Sequence, residues 1–260
     1  MNTHKNNSAS SVTDKHSTII RRIFPEAHAG GFSHRDGTIE FYTRVNALLT
    51  PEMKLLDFGA GRGHALVEDK VEYRRRLRNF RGRCQKVVGI DIDDVVKSNP
   101  GLDEAVLIQP NQRLPFDDAT FDLIICDWVF EHFIDPAYTT SELGRVLNPG
   151  GWLCARTPNR WGYISIGARF TPNRLHEGLL RILQPGRQER DEFPTYYRLN
   201  TMRALRKYFS KEQYLDASYY YTPEPAYFNN KSILWRLAMF FERVMPAKCG
   251  PVLMVFLQKN

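Results

Sequence analysis

Three polar clusters in this chain carry residue types suited to a nucleotide-like ligand, and each sits at one end of an apolar run. The first is Asp57-Phe58-Gly59-Ala60-Gly61-Arg62-Gly63, which follows Leu55-Leu56. Glycines at 59, 61 and 63 open backbone angles closed to other residues and leave room for a ligand to approach the main chain. The second is Asp91, which closes Val87-Val88-Gly89-Ile90. A carboxylate there can accept two charge-assisted hydrogen bonds from a ribose diol. The third is the turn Leu114-Pro115-Phe116-Asp117-Asp118, leading into Phe121-Asp122. Plainer roles stand beside these. A Gly-rich turn alone serves many cofactors, Asp57 can be a turn acid, and Asp91 can cap a helix before Val95.

The elements that must position these residues read as alternating strands and helices. Residues 19–24 and Ile39 to Leu49 are helical, with Asp36 as N-cap of the second helix and Pro51 at its end. Strand one is Lys54 to Phe58, followed by one long helix from His64 to Phe80 with Leu66, Tyr73, Leu77 and Phe80 on its apolar side. Strand two is Lys86 to Asp91, strand three Ala105 to Gln109, and strand four Phe121 to Asp127. A helix over Pro136 to Leu147 stops at Asn148-Pro149-Gly150-Gly151, a turn that sets strand five, Trp152 to Thr157. Then come a helix at Thr201 to Phe209, a strand near Gln213 to Tyr221, an amphipathic helix from Ser232 to Met245, and a closing strand from Val252 to Gln258. The alternation predicts a parallel doubly wound α/β sheet. In such sheets ligands sit at the carboxyl ends of the strands, where all three clusters fall.

Length and composition frame this reading. The 260 residues suit one large α/β domain with an elaboration, and 42% hydrophobic content supplies a sizeable core. We expect a leader over residues 1–18, a helical segment over 19–50, the ligand-binding core over 51–159, a cap over 160–200 and completion of the sheet over 201–260. The leader holds Asn, Ser, Thr, Lys and His without an apolar core, which predicts a disordered start on a cytoplasmic protein. No apolar run approaches the ~18 residues of a membrane span. Cys84, Cys126, Cys154 and Cys249 form no C-x-x-C pair, so neither a disulfide framework nor a structural zinc site is expected. No His, Cys or Asp cluster has metal-ligand spacing, so no metal is expected. The net charge of +7 favours acidic partners.

Taken in order, the motifs resemble those of the class I S-adenosylmethionine-dependent methyltransferases, in particular the small-molecule, ubiquinone-biosynthesis-type (methyltransferase type 11-like) branch. The resemblance covers about Leu55 to Thr157. It rests on Leu56-Asp57-Phe58-Gly59-Ala60-Gly61-Arg62-Gly63, Gly89-Ile90-Asp91, the Leu114 to Asp117 turn with Phe121-Asp122, Glu131-His132, Glu142 with Arg145-Val146-Leu147, and Asn148-Pro149-Gly150-Gly151. It implies a Rossmann-like, doubly wound, mostly parallel seven-stranded sheet with helices on both faces and a substrate-binding insertion after strand five. It also implies S-adenosyl-L-methionine as cofactor. Gly59, Ala60, Gly61 and Gly63 would line its methionine half, with Asp57 on the amino group directly or through water. Asp91 would hold the ribose hydroxyls and Ile92 would pack on adenine, while Asp127 and Trp128 would lie near the reacting methyl. One slot departs from the pattern. Where the family often carries an acid for the adenine amino group, this chain has Pro110, beside Asn111 and Gln112.

The implied reaction is methyl transfer to a small molecule, with an oxygen acceptor. A hydroxyl acceptor is helped by a base within reach of its proton. His132, just past strand four, and His176, in the cap, are the candidates. Residues 160–200 hold seven arginines, no lysine and four acids. Arginine forks suit carboxylates and phosphates, so an acidic or sugar-linked acceptor is one reading and internal pairing is the other. Phe32, Tyr42 or Arg44 could line the site by analogy with related folds.

Arg74-Arg75-Arg76, with Arg78, Arg81 and Arg83, reads as a solvated helix face rather than a nucleic-acid patch. Ile233, Leu234, Leu237, Phe240, Phe241 and Val244, with Trp235 widening the apolar face, read as the core-packing side of their helix rather than a membrane contact. Three rival functions stand beside methyl transfer to a small molecule. A nicotinamide dehydrogenase fits poorly, because the turn is G-x-G-x-G rather than G-x-G-x-x-G. An RNA-modifying methyltransferase and a non-catalytic S-adenosylmethionine-binding protein are the other two.

Overall fold

Successive strand residues alternate between two apolar cores, and that alternation builds a three-layer molecule. The computed structural model describes residues 18–170, 193–225 and 232–260. Its elements are α1 (residues 18–23), α2 (Gly37–Leu48), β1 (Lys54–Phe58), α3 (His64–Glu68), α4 (Glu72–Arg78), β2 (Lys86–Asp91), β3 (Glu104–Leu107) and β4 (Phe121–Asp127). They continue with α5 (Pro136–Val146), β5 (Leu147–Pro158), α6 (Tyr163–Phe170), α7 (Met202–Tyr208), β6 (Tyr214–Asp216), β7 (Tyr219–Tyr221), α8 (Ser232–Val244) and β8 (Val252–Lys259).

Leu55, Val87, Leu123, Ile125, Cys154 and Met254 point to one core with Phe41, Tyr42 and Val45 of α2. Their neighbours Leu56, Val88, Ile124, Cys126, Leu153 and Val255 point to the other, with Leu143 of α5 and Leu205 of α7. Each fully buried Leu or Ile contributes ~1.5–3 kcal/mol relative to exposure. Cys126 and Cys154 are buried free thiols within these cores. The sheet order is β3-β2-β1-β4-β5-β8-β6, with β7 also paired to β8. Strands β1 to β5 pair in parallel and β8 runs antiparallel to β5. The chain moves outward from β1 to β3 and returns beside β1 as β4, so the switch point lies between the ends of β1 and β4.

Several elements differ from expectation for local physical reasons. The long helix breaks into α3 and α4, because Asp69 turns extended and accepts from Val71 N at 3.0 Å. Asp69 also takes Arg74 Nη2 at 2.8 Å, while Arg74 Nη1 reaches Asp36 Oδ2 at 2.8 Å. Arg78 lies 3.6 Å from Asp69 and over the Tyr42 ring. These two arginines therefore tie α4 to the start of α2 rather than lie on a solvated face. Asn148-Pro149-Gly150-Gly151 sits inside β5 as an irregularity, since Leu147 already pairs with Phe121. The single strand expected near Gln213 to Tyr221 splits at Ala217-Ser218. Its halves β6 and β7 share one lane along β8, giving eight strands in seven lanes. Ser218 Oγ accepts from Phe256 N at 3.2 Å, bridging the gap.

Candidate active site

A cleft of about 470 Å³ opens at the carboxyl ends of β1, β2 and β4. Its floor is the turn after β1. Gly59 has φ +77°, and a Cβ there would come within 2.6 Å of Val129, so only glycine fits. At Gly61, φ +52°, a Cβ would meet nothing within 4 Å, so this backbone borders open space. Gly59 N and Ala60 N donate to Ile90 O at 2.8 and 3.1 Å, locking the turn onto β2. Gly63 precedes α3 and abuts Asn99, whose Nδ2 donates to Ala60 O at 2.9 Å and Gly61 O at 3.2 Å.

Asp91 lines the cleft with one backbone donor on each oxygen. Gly61 N lies 2.9 Å from Oδ2 and Asp93 N lies 3.0 Å from Oδ1. A carboxylate has about four lone-pair positions, so roughly one remains on each oxygen for a ligand. Ile92 beside it is an exposed apolar shelf. Across the cleft stand Pro110, Asn111 and Gln112, with Asn111 left-handed at φ +56°. Their loop continues into the Leu114 turn. Glu142 Oε2 accepts from Leu114 N at 2.8 Å, and Arg145 donates to Leu114 O and Phe116 O at 3.1 and 2.8 Å. The Glu142–Arg145 ion pair is thus the brace of that turn.

The two carboxylates behind the floor differ sharply. Asp127 receives both Arg156 Nε and Nη2 and the Tyr42 hydroxyl, the latter two at 2.9 Å. Burial opposes its charge, yet Arg156 holds its carboxyl below the usual range. Asp57 has no hydrogen-bond partner for its carboxylate among the described residues. Burial, then the charges of Asp127 and Asp91, push it up to about 7.

The post-β4 loop forms the remaining wall. Trp128 is left-handed at φ +60°, with its N bonded to Arg156 O at 2.9 Å and its exposed ring 5.4 Å from the Arg156 guanidinium. His132 Nδ1 lies 2.9 Å from Pro194 O. A carbonyl only accepts, so Nδ1 carries the hydrogen and Nε2 of the neutral ring keeps a lone pair.

Of the predicted residues, Gly59, Gly61, Asp91, Ile92, Asn111, Gln112, Trp128 and His132 line the cleft together. Asp57, Ala60, Gly63 and Asp127 lie behind it, and His176 falls outside the described residues. Phe32, Tyr42 and Arg44 do not line it. They contact Tyr73, Asp127 and Glu40 with Tyr219, respectively. Phe58, Phe133, Ile134, Phe193 and Tyr196 do line it, unforeseen, and most come from loops where no periodicity marks a buried side.

Comparison with known proteins agrees with this geometry. Residues 56–155 match the family model described as a methyltransferase domain. Over these residues the chain is similar to the class I S-adenosylmethionine-dependent methyltransferase domains. S-adenosyl-L-methionine is the cofactor of that family, and the cleft fits it. Acceptor positions remain free on Asp91, and the Gly61 backbone borders open space. A protein of Mycolicibacterium smegmatis described as a probable S-adenosylmethionine-dependent methyltransferase is 34% identical over 116 residues, covering 38% of this chain and 45% of that protein. The chain thus spans less than half the length of the curated relatives it matches. A structure titled as an S-adenosylmethionine-dependent methyltransferase from Archaeoglobus fulgidus aligns with TM-score 0.53 at 16% identity, covering 88% of this chain and 95% of that one. The [4+2]-cyclase SpnF aligns with TM-score 0.51 at 16% identity, over 85% and 80% of the two chains. Both likenesses concern the fold of the methyltransferase domain.

Proposed function

We propose that this protein transfers a methyl group from S-adenosyl-L-methionine to an oxygen of a small-molecule acceptor. The observation that carries this reading is the coupling of Asp91 to the glycine turn. One carboxylate fixes the Gly61 amide and keeps acceptor positions for a diol, beside backbone that borders open space. Bound S-adenosyl-L-methionine supplies an electrophilic methyl on a sulfonium.

The chain's residues bind, orient and keep water out. Asp91 would hold the ribose hydroxyls, Ile92 the adenine face, and Asn111 or Gln112 its amino group through a side-chain oxygen. Asp57 would meet the methionine ammonium directly or through water, and a cation there restores its ionised form. Asp127 serves differently from expectation. It pairs with Arg156, which in turn orients Trp128, so its part is to position the wall. His132 Nε2 would accept the acceptor's proton while Nδ1–H stays on Pro194 O. Phe133, Ile134 and Phe193 shield the reacting centre from water.

The acceptor's apolar portion finds its match in this aromatic wall. The acidic or sugar-linked reading rests on the arginines of residues 160–200. Arg160 and Arg198 donate to the carbonyls of Tyr197 and Ile134, and the side chains of the other five lie outside the described residues. The arginine run of α4 gives an RNA substrate little to hold, since Arg74, Arg78 and Arg81 are engaged by Asp36, Asp69 and Asp103.

Calorimetry with S-adenosylhomocysteine and with NAD tests the cofactor, and binding of NAD alone would overturn the assignment. Transfer of labelled methyl to a panel of hydroxylated aromatic and acidic acceptors tests the reaction. His132→Gln should lower kcat by about 10²–10⁴-fold with little change in S-adenosylhomocysteine affinity. An unchanged kcat removes His132 as base. A second reading, a non-catalytic S-adenosylmethionine-binding protein, rests on the rule that a fold does not fix its function, as a [4+2]-cyclase on this fold illustrates. Labelled product from any acceptor excludes it.

A further inference from the structure

The two sides of α8 are apolar, and the described residues cover only one of them. Trp235 and Met239 pack against Ile19, Ile20, Phe24 and Ala27 around α1. The six residues expected to face a core do the opposite. Ile233, Leu234, Leu237, Phe240, Phe241 and Val244 expose between 39% and 73% of their surface. Single exposed leucines are ordinary, but six large apolar side chains on one helix form a patch that marks a binding surface. At about 100° per residue they fill an arc of roughly 120°, and the stripe from Ile233 to Val244 runs about 16 Å along the axis.

We propose that this face of α8 seats the protein on an anionic membrane surface. The charges around the patch select that occupant. Arg236 and Arg243 fall on the same edge of the apolar arc, and both are exposed. Their long side chains can reach anionic headgroups while the aromatic and aliphatic residues enter the acyl boundary. Arg21 and Arg22, exposed on neighbouring α1, and Lys248 add to the positive field. None of these five cations forms an ion pair among the described residues. Glu242, the one acid of α8, is turned inward, bonded to Arg35 at 2.6 Å and Tyr163 at 2.5 Å. A second copy brought face to face would offer these arginines no free acid from its own α8. An anionic lipid surface offers both an apolar layer and negative charge. No helix among the described residues is long and apolar enough to cross a membrane, so α8 would lie in the interface.

Flotation of the full chain with phosphatidylcholine vesicles, and with an equimolar mixture containing phosphatidylglycerol, tests this. Binding should appear with the anionic vesicles and weaken as salt is raised. Phe240→Ser with Phe241→Ser should reduce the bound fraction about ten-fold, and Arg236→Glu with Arg243→Glu similarly. Thermal melting checks that both variants fold. Absence of binding, or binding unaltered in both folded variants, overturns the proposal. A dimer in sedimentation equilibrium that Phe240→Ser disperses, without vesicle binding, assigns the face to a second copy and also overturns it. Vesicle binding needs no methyl transfer, so this outcome stands apart from that of the proposed activity.

Discussion

Asp57 and Asp127 end neighbouring parallel strands at the switch point, yet they meet opposite fates. Asp127 is clasped by Arg156 and Tyr42, and its pKa is lowered. Asp57, in β1 beside it, has no cation partner among the described residues and is raised to about 7. The same side chain is a structural clasp in one strand and an open acceptor in the next. What separates them is the partner that tertiary structure delivers. For Asp127 that is an arginine from β5, 29 residues on. For Asp57 the described residues supply none, which is the condition a binding carboxylate needs.

The strongest way to break this contrast is to remove the clasp. Arg156→Met leaves Asp127 charged and unpaired behind the cleft, and should cost about 3–5 kcal/mol in denaturant unfolding at neutral pH. A loss under about 1 kcal/mol would mean that Asp127 is not held as described.

The second test is Asp57→Asn. An acid whose folded pKa is raised binds more protons folded than unfolded between about pH 4 and 7, so wild-type stability falls as pH rises through that window and the penalty is full above it. The amide does not titrate. The variant should therefore gain about 1–3 kcal/mol over wild type at pH 8 and almost nothing at pH 4. It should also weaken S-adenosylhomocysteine about ten-fold or more at pH 8. In wild type that affinity should fall as pH drops below about 7, when the carboxyl takes up its proton. A flat pH profile would place the ammonium elsewhere.

The smallest effect sharpens the clasp itself. Tyr42→Phe removes one hydrogen bond to Asp127 and should cost about 1 kcal/mol, leaving cofactor affinity unchanged. A large loss of affinity would show that Tyr42 acts on the cleft after all.

Much of the site was legible because its signals are local. Gly59 and Gly61 answer to backbone geometry within the turn, and Asp91 to its place at a strand end. The Leu114 turn was equally visible, but its brace by Glu142 and Arg145 spans some thirty residues and has no local signature. The break at Asp69 was hidden for the same reason, since a helical pattern runs through it and the competing partners sit on α2 and α4. The side of α8 that faces solvent was read the wrong way round. Apolar periodicity reports that a helix has an apolar side and cannot say which of two apolar sides the fold covers.

The class of cofactor was implied by the ordered resemblance of the motifs to a methyltransferase family, and the sequence by itself determined the strand order along the chain and the glycine floor. These follow from rules that act over a few residues: side-chain period, backbone permissiveness and the acid at a strand end. Tertiary structure alone decided that Asp127 is paired with an arginine while Asp57 has no cation partner among the described residues, that Trp128 is pinned by Arg156, and that α8 turns six apolar side chains outward. Each depends on which distant group occupies the neighbouring space. Charge and burial act through space, and a one-dimensional pattern carries no distances between its parts.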